Sequence, residues 1–149
     1  MMFGATNPGF SEINETEDSL LRFAVIASRY EGQWIYCRHK ERSTWEMPGG
    51  RREPGETILE TARRELYEET GALDFELQPV CVYYVERDGD QSYGLLCHAK
   101  VKTLGELPAS EIERIRLFDD QPDALTYPLI QPYLMGKVKS WLDKEAEND

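Results

Sequence analysis

Histidine and cysteine are scarce in this chain of 149 residues, which has two of the first and three of the second. His39 and His98 stand far apart, and Cys37, Cys81 and Cys97 form no Cys-x-x-Cys pair. That pattern excludes a histidine or cysteine metal centre and a disulfide framework as the organising device. Each cysteine sits in an apolar, strand-like run, so all three are read as buried free thiols in a reducing compartment. Basic residues are also outnumbered, 17 Lys and Arg against 28 Asp and Glu, for a net charge of -11. Such a field repels phosphate polymers over most of the surface, so a nucleic-acid partner is not expected. A small anionic substrate stays compatible if a metal ion or a local group of cations offsets the field. Long apolar runs are missing too, which excludes a membrane-spanning helix. The stretch "MMFGATNPGFSEINETEDS" lacks the basic start and apolar middle of a signal peptide. The expectation is a soluble, cytoplasmic protein.

What is present fits one globular domain, with 40% hydrophobic and 30% charged residues. Residues 1–19 are polar and contain Gly and Pro, so they are expected to be loosely held, with a single domain over 20–149. "LRFAVIASRY" and "QWIYCRH" read as a hairpin turned at Glu31-Gly32. "STWEMPGGRREPGE" reads as loop because of its Pro-Gly pairs. From Thr57 the period changes. Leu59, Ala62, Leu66 and Thr70 are spaced as one helix face, Thr57 and Glu60 make a capping-box pair, and Gly71 supplies a left-handed stop. "LQPVCVYYVE" and "SYGLLCHAKV" read as strands joined at Asp88-Gly89-Asp90, and "EIERIRLFD" as a further strand. "PLIQPYLMGKVKSWLDKEA" ends as a helix with Leu134, Val138 and Trp141/Leu142 inward. Strands, helix, strands, helix predict an α+β fold: helices packed on a mixed sheet.

The helix from Thr57 is crowded with carboxylates. Glu65, Glu68 and Glu69 project from adjacent turns toward one region, where like charges repel by a few tenths of a kcal/mol per exposed pair. A solvated face laced with Arg–Glu pairs would tolerate this. A hard divalent cation would turn the same repulsion into a binding site, since Mg²⁺ takes oxygen ligands and shares its shell with substrate phosphates.

The spacing around the helix separates these readings. Gly50, Glu56, Arg64-Glu65-Leu66, Glu68-Glu69 and Gly71 follow the pattern GX5EX7REUXEEXGU, where U is a bulky aliphatic residue. This resembles the Nudix box. At roughly 6% usage per residue type, its seven fixed positions would coincide by chance on the order of once in a million chains. Ala72 stands at the final aliphatic position, with Leu73 directly after it. The resemblance implies an αβα sandwich around a mixed sheet, with the box as a loop-helix-loop. It also implies hydrolysis of a nucleoside diphosphate linked to another group, by a metal-activated water attacking phosphorus. Carried over position by position, Glu65, Glu68, Glu69 and the Gly50 carbonyl match the metal ligands, with Mg²⁺ as cofactor and Mn²⁺ as a substitute. Glu56 and Arg64 match a salt bridge that holds the loop to the helix. Glu65 is the best candidate for the general base inside the box, while Glu68 and Arg64 complete the catalytic set. Glu111 or Glu113 could supply an outside carboxylate.

"WEMPGG" before the box resembles "WEFPGG" of the MutT branch, which sanitises oxidised purine nucleoside triphosphates. By that match Met47 would line the base pocket, although plain core packing also suits a methionine. That branch's base-reading asparagine has no counterpart in "LTYPLIQP". The marks of the NADH, coenzyme A, ADP-ribose and dinucleoside polyphosphate branches are missing, which leaves a nucleoside triphosphate. In "CRHKER", Arg38 and Lys40 are candidates to meet phosphates. Homodimers are common in the family, so a homodimer is compatible. Two further readings are a non-catalytic nucleotide-binding or regulatory module of the same fold, and an acidic protein adaptor.

Overall fold

The computed structural model describes residues 7–147, apart from the side chain of Arg87. Seven strands form one sheet: β1 (Gly9–Ser11), β2 (Leu21–Tyr30), β3 (Gln33–His39), β4 (Gly49–Arg51), β5 (Ala72–Arg87), β6 (Asp90–Leu104) and β7 (Ile112–Phe118). Their order is β1-β5-β6-β2-β3-β7, with β4 paired to β2 off this path. Only β2 and β6 run parallel, so the sheet is mixed as expected. The helices α1 (Ile58–Thr70) and α2 (Gln131–Glu147) cover opposite faces. One core joins Ile58, Ala62 and Leu66 of α1 to Ile26, Ile35 and Val82. The other joins Leu134, Met135 and Val138 of α2 to Tyr36, Trp45 and Tyr83. This is an αβα sandwich. Among the described residues no helix is long and apolar enough to cross a membrane.

The two-residue period explains how one strand feeds both cores. In β3, Ile35 faces α1 while Trp34 and Tyr36 face α2. Cys37 and Cys97 are buried, Cys81 is half-buried, and all three are free.

Several elements depart from the sequence expectations. β1 pairs with β5 inside the segment read as polar and loosely held, and Met1 to Thr6 lie outside the described residues. β4 falls in the stretch read as loop. Its two glycines let β4 lie close against β2, since a Cβ on Gly49 would come 2.5 Å from the Ala24 carbonyl oxygen. β5 starts directly after Gly71, earlier than its apolar run suggests, and absorbs Pro79 at an irregularity before Cys81. Leu59 is 40% exposed instead of inward. The buried stripe runs through Ile58, Ala62 and Leu66, one residue round from it, with Thr61 and Thr70 beside them.

Candidate active site

Local sequence fixes α1 at both ends. The Thr57 side chain accepts the Glu60 N–H at 3.1 Å, and the Glu60 carboxylate accepts the Thr57 N–H at 2.8 Å. At the other end Gly71 adopts φ 83° and donates its N–H to the Tyr67 carbonyl. A Cβ there would lie 2.6 Å from the Glu106 carbonyl oxygen, so only glycine ends the helix this way without strain. With its apolar stripe buried on the sheet, α1 turns Glu65, Glu68 and Glu69 toward the Gly49-Gly50 strand and the box loop.

Arg64 clamps this arrangement. Its Nε donates to Glu56 at 2.5 Å, and its Nη2 donates to Glu56 and to the Arg51 carbonyl, each at 3.0 Å. Its Nη1 donates to both Glu65 and Glu68 at 2.8 Å. One guanidinium thus ties the loop to two carboxylates of the helix, a task suited to its planar fork. Glu56 also accepts from the Glu53 N–H and the Thr61 hydroxyl. These donors, Arg64 first, hold its pKa down at about 2. Thr61 therefore has a polar use despite complete burial.

Glu69 lies deeper. Its carboxylate accepts the Gly49 N–H at 2.9 Å, with the Cys37 thiol at 3.9 Å, and pairs with no cation among the described residues. Burial pushes its pKa up to about 8, against the Gly49 bond and with help from the charges of Glu65, Glu46 and Glu68. Burial also raises Glu65, partly opposed by Arg64. Gly50 stands directly against Glu65, because a Cβ would come 2.4 Å from its carboxyl carbon.

Among the described residues no three His, Cys, Asp or Glu side chains already converge in ligand geometry. Arg64 draws Glu65 and Glu68 to itself, and Glu69 turns to Gly49. The donor set nevertheless fits Mg²⁺: every candidate atom is a hard oxygen, and the half-buried Glu69 carboxylate has no counter-charge among the described residues. The side-chain-free Gly50 leaves its backbone open to the same space.

The NUDIX domain family matches residues 19–127, a span that takes in the helix α1, the clamp and six of the seven strands entire. The chain belongs to the Nudix family. An 8-oxo-dGDP phosphatase of Mus musculus is 50% identical over 48 residues, covering 32% of this chain and 14% of that protein. An RNA pyrophosphohydrolase of Bartonella henselae is 33% identical over 76 residues, covering 45% of this chain and 44% of that protein. The matches thus span less than half of either relative. The crystal structure of a Bacillus subtilis pyrophosphohydrolase superposes with a TM-score of 0.74 at 24% identity, covering 89% of this chain and 90% of that one. That likeness concerns the fold.

Beside the Nudix carboxylates, on the α2 face, opens a cleft of about 250 Å³. Phe23, Val25, Tyr83 and Leu134 give it apolar walls, and Gly49 and Gly50 separate it from Glu65 and Glu69. Met47 lines this cleft and also packs in the α2 core. Arg38 and Lys40 do not line it. Arg38 pairs with Glu113 and lies over the Trp45 ring, while Lys40 is exposed beyond β3 and donates its N–H to the Glu111 carbonyl. Glu111 approaches His39 at 3.9 Å, so both outside carboxylates sit at the β3–β7 edge.

Two cleft residues went unnoticed in the sequence. Glu46 is buried enough for its pKa to rise, against the pull of His39 and Arg42, and its Oε1 has no hydrogen-bond partner among the described residues. Gln131 opens α2, and its Oε1 accepts the Met47 N–H at 3.0 Å. Its amide nitrogen is left without a partner among the described residues. The available signal was position: Gln131 lies inside "LTYPLIQP", the stretch that lacks an asparagine, at the start of the C-terminal helix.

Proposed function

We propose that this Nudix domain is a Mg²⁺-dependent pyrophosphohydrolase acting on a nucleoside triphosphate or a related nucleoside diphosphate derivative. The carrying observation is the placement of Glu65, Glu68 and Glu69 on adjacent turns of α1, with Glu65 against Gly50 and Glu69 on the Gly49 N–H, next to an apolar-walled cleft lined by both glycines. Glu65, Glu68, Glu69 and the Gly50 carbonyl would hold Mg²⁺, or Mn²⁺ in its place. When bound, such an ion lowers the pKa of water and offsets charge on a phosphoryl group under attack.

The chain's own residues carry the remaining steps. Glu65 takes the proton of the attacking water, a role suited to a carboxylate whose pKa is raised by burial. Arg64 acts through its neighbours: by bonding Glu65 and Glu68 it fixes where their oxygens point. Glu56 keeps Arg64 in place from the loop side. The Met47 thioether and the Tyr83 ring offer soft, flat surfaces to a base. The free amide nitrogen of Gln131 donates to an acceptor on the base edge. An oxidised purine nucleotide fits this combination, and the name of the mouse relative supports it, which would make the chain a sanitiser of the nucleotide pool.

The test is a panel of unmodified and oxidised nucleoside triphosphates, ADP-ribose, dinucleoside polyphosphates and capped RNA, assayed in Mg²⁺ and in EDTA. Metal-dependent release of pyrophosphate or a nucleoside monophosphate is expected from at least one member. Calorimetric binding of a nucleotide without turnover in either metal would instead identify a nucleotide-binding module.

A further inference from the structure

At the β3–β7 edge, on the α2 face of the sheet, this acidic protein carries a band of arginines seated on aromatic rings. Arg38 and Arg114 are Cα partners across the two strands, and their guanidinium carbons lie 5.7 and 5.5 Å from the centroid of Trp45. Two residues along β7, Arg116 lies 5.2 Å from the Phe118 ring. In the other direction Arg42 lies 5.8 Å from Tyr127, and Tyr127 lines the cleft. The Thr44–Thr126 hydrogen bond and the bridge between Trp45 and Leu125 hold these two segments side by side. The band is therefore continuous with the cleft.

Nearby carboxylates are mostly engaged elsewhere. Asp120 holds Lys139, Asp119 accepts from Gln33, Glu111 faces His39, and Glu113 is taken by Arg38. Glu41 and Glu46 act on Arg42. Arg114 and Arg116 are exposed and pair with no carboxylate among the described residues. Charge on an edge strand does block pairing with other sheets. Any exposed charge serves that end, however, and it does not call for guanidinium groups laid on ring faces in a line toward the cleft.

We propose that this band is a binding track for single-stranded nucleic acid, one end of which occupies the cleft. This rests on the reading of the cleft as a nucleotide site. Contact with the Trp45 and Phe118 rings restrains the guanidinium groups, so less side-chain freedom is lost when their N–H groups fork onto phosphate oxygens. Arg114 and Arg116 stand about 6.7 Å apart along an extended strand, a step comparable to that between successive phosphates of a stretched chain. Trp45 is only 7% exposed, so its ring serves the arginines and does not stack on a base. The track is consequently indifferent to sequence. The net charge of -11 still excludes polymer from the rest of the surface, which confines binding to this edge.

The test is fluorescence anisotropy with a short single-stranded RNA that carries a 5′-hydroxyl and a 3′-fluorescein, without metal. Wild-type protein should bind it saturably at low ionic strength. The Arg114→Glu/Arg116→Glu variant should bind at least about tenfold more weakly, and the milder Arg114→Gln/Arg116→Gln variant should lower the salt slope by about 1.4, from 0.7 per lost phosphate contact. Thermal melts of both variants verify that they remain folded. Absence of wild-type binding at low salt, equal binding by a folded variant, or equal competition by polyglutamate would overturn the proposal. Because the probe has no phosphoanhydride, a failure here is distinct from a failure of hydrolysis on the nucleotide panel.

Discussion

Replacing Glu69 with glutamine should make the metal-free protein more stable, although it destroys a candidate ligand. The carboxylate is largely withdrawn from solvent with no cation beside it among the described residues, and its pKa is pushed up to about 8 against an ordinary 4.5. A folded-state pKa raised above the unfolded value means that stability is fully present below pH 4.5 and is lost as the pH rises through about 8. At pH 7 the unfolded carboxyl is ionised while the folded one is about nine-tenths protonated, a difference worth up to about 3 kcal/mol. Water reaching the site from the cleft reduces this, so about 1–3 kcal/mol is the working range. Glutamine does not titrate, and its oxygen can still accept the Gly49 N–H. For a domain of this size the gain corresponds to about 3–10 °C in Tm. Calorimetric melts of wild type and Glu69→Gln across pH 5–9 would measure it. The gap should be small at pH 5 and widen to its full value by pH 8 to 9. Millimolar Mg²⁺ should raise the wild-type Tm and leave the variant's unchanged. A variant that is less stable at every pH, or that gains as much from Mg²⁺ as wild type, would refute the reasoning.

Three further outcomes follow from the same geometry. Gly50→Ala places a Cβ 2.4 Å from the Glu65 carboxyl carbon, so Mg²⁺ affinity should fall about 10–100-fold by titration calorimetry while the fold persists. Arg64→Lys keeps the charge but cannot reach Glu56, Glu65, Glu68 and the Arg51 carbonyl together. It should lower kcat about 10–100-fold, a loss measurable on whichever nucleotide the panel identifies. Mg²⁺ binding at pH 7 should release about nine-tenths of a proton from Glu69 and almost none above pH 9. Calorimetry in two buffers of different ionisation enthalpy would read that number directly.

The sequence made the helix, its caps and its carboxylates legible because each rests on a local rule. Thr57, Glu60 and Gly71 act within a few residues of themselves, and helical periodicity alone puts Glu65, Glu68 and Glu69 on neighbouring turns. Leu59 shows the limit of that reasoning. Helical spacing proposes a face, but packing against the sheet chose the stripe centred on Ile58, Ala62 and Leu66. β1 and β4 were illegible because three-residue strands carry no period, and pairing with β5 and β2 creates them. Gln131 was missed because it meets Met47 only when α2 folds back over the sheet, across some 80 residues of chain, and Glu46 because its bridge to Cys37 and its approach to His39 come from pairing with β3 and from no local rule. The arginine band was hidden for a similar reason. Arg38 and Arg114 are far apart in sequence and become partners only through the β3–β7 register.

Turnover by the carboxylate variants tests the central claim most directly. Glu65→Gln, Glu68→Gln and Glu69→Gln should each be assayed in Mg²⁺ beside wild type, on the best substrate of the panel and with folding verified by thermal melts. Loss of phosphoanhydride cleavage by orders of magnitude in folded variants is the expected result. Cleavage at the wild-type rate in all three would contradict a metal site on α1.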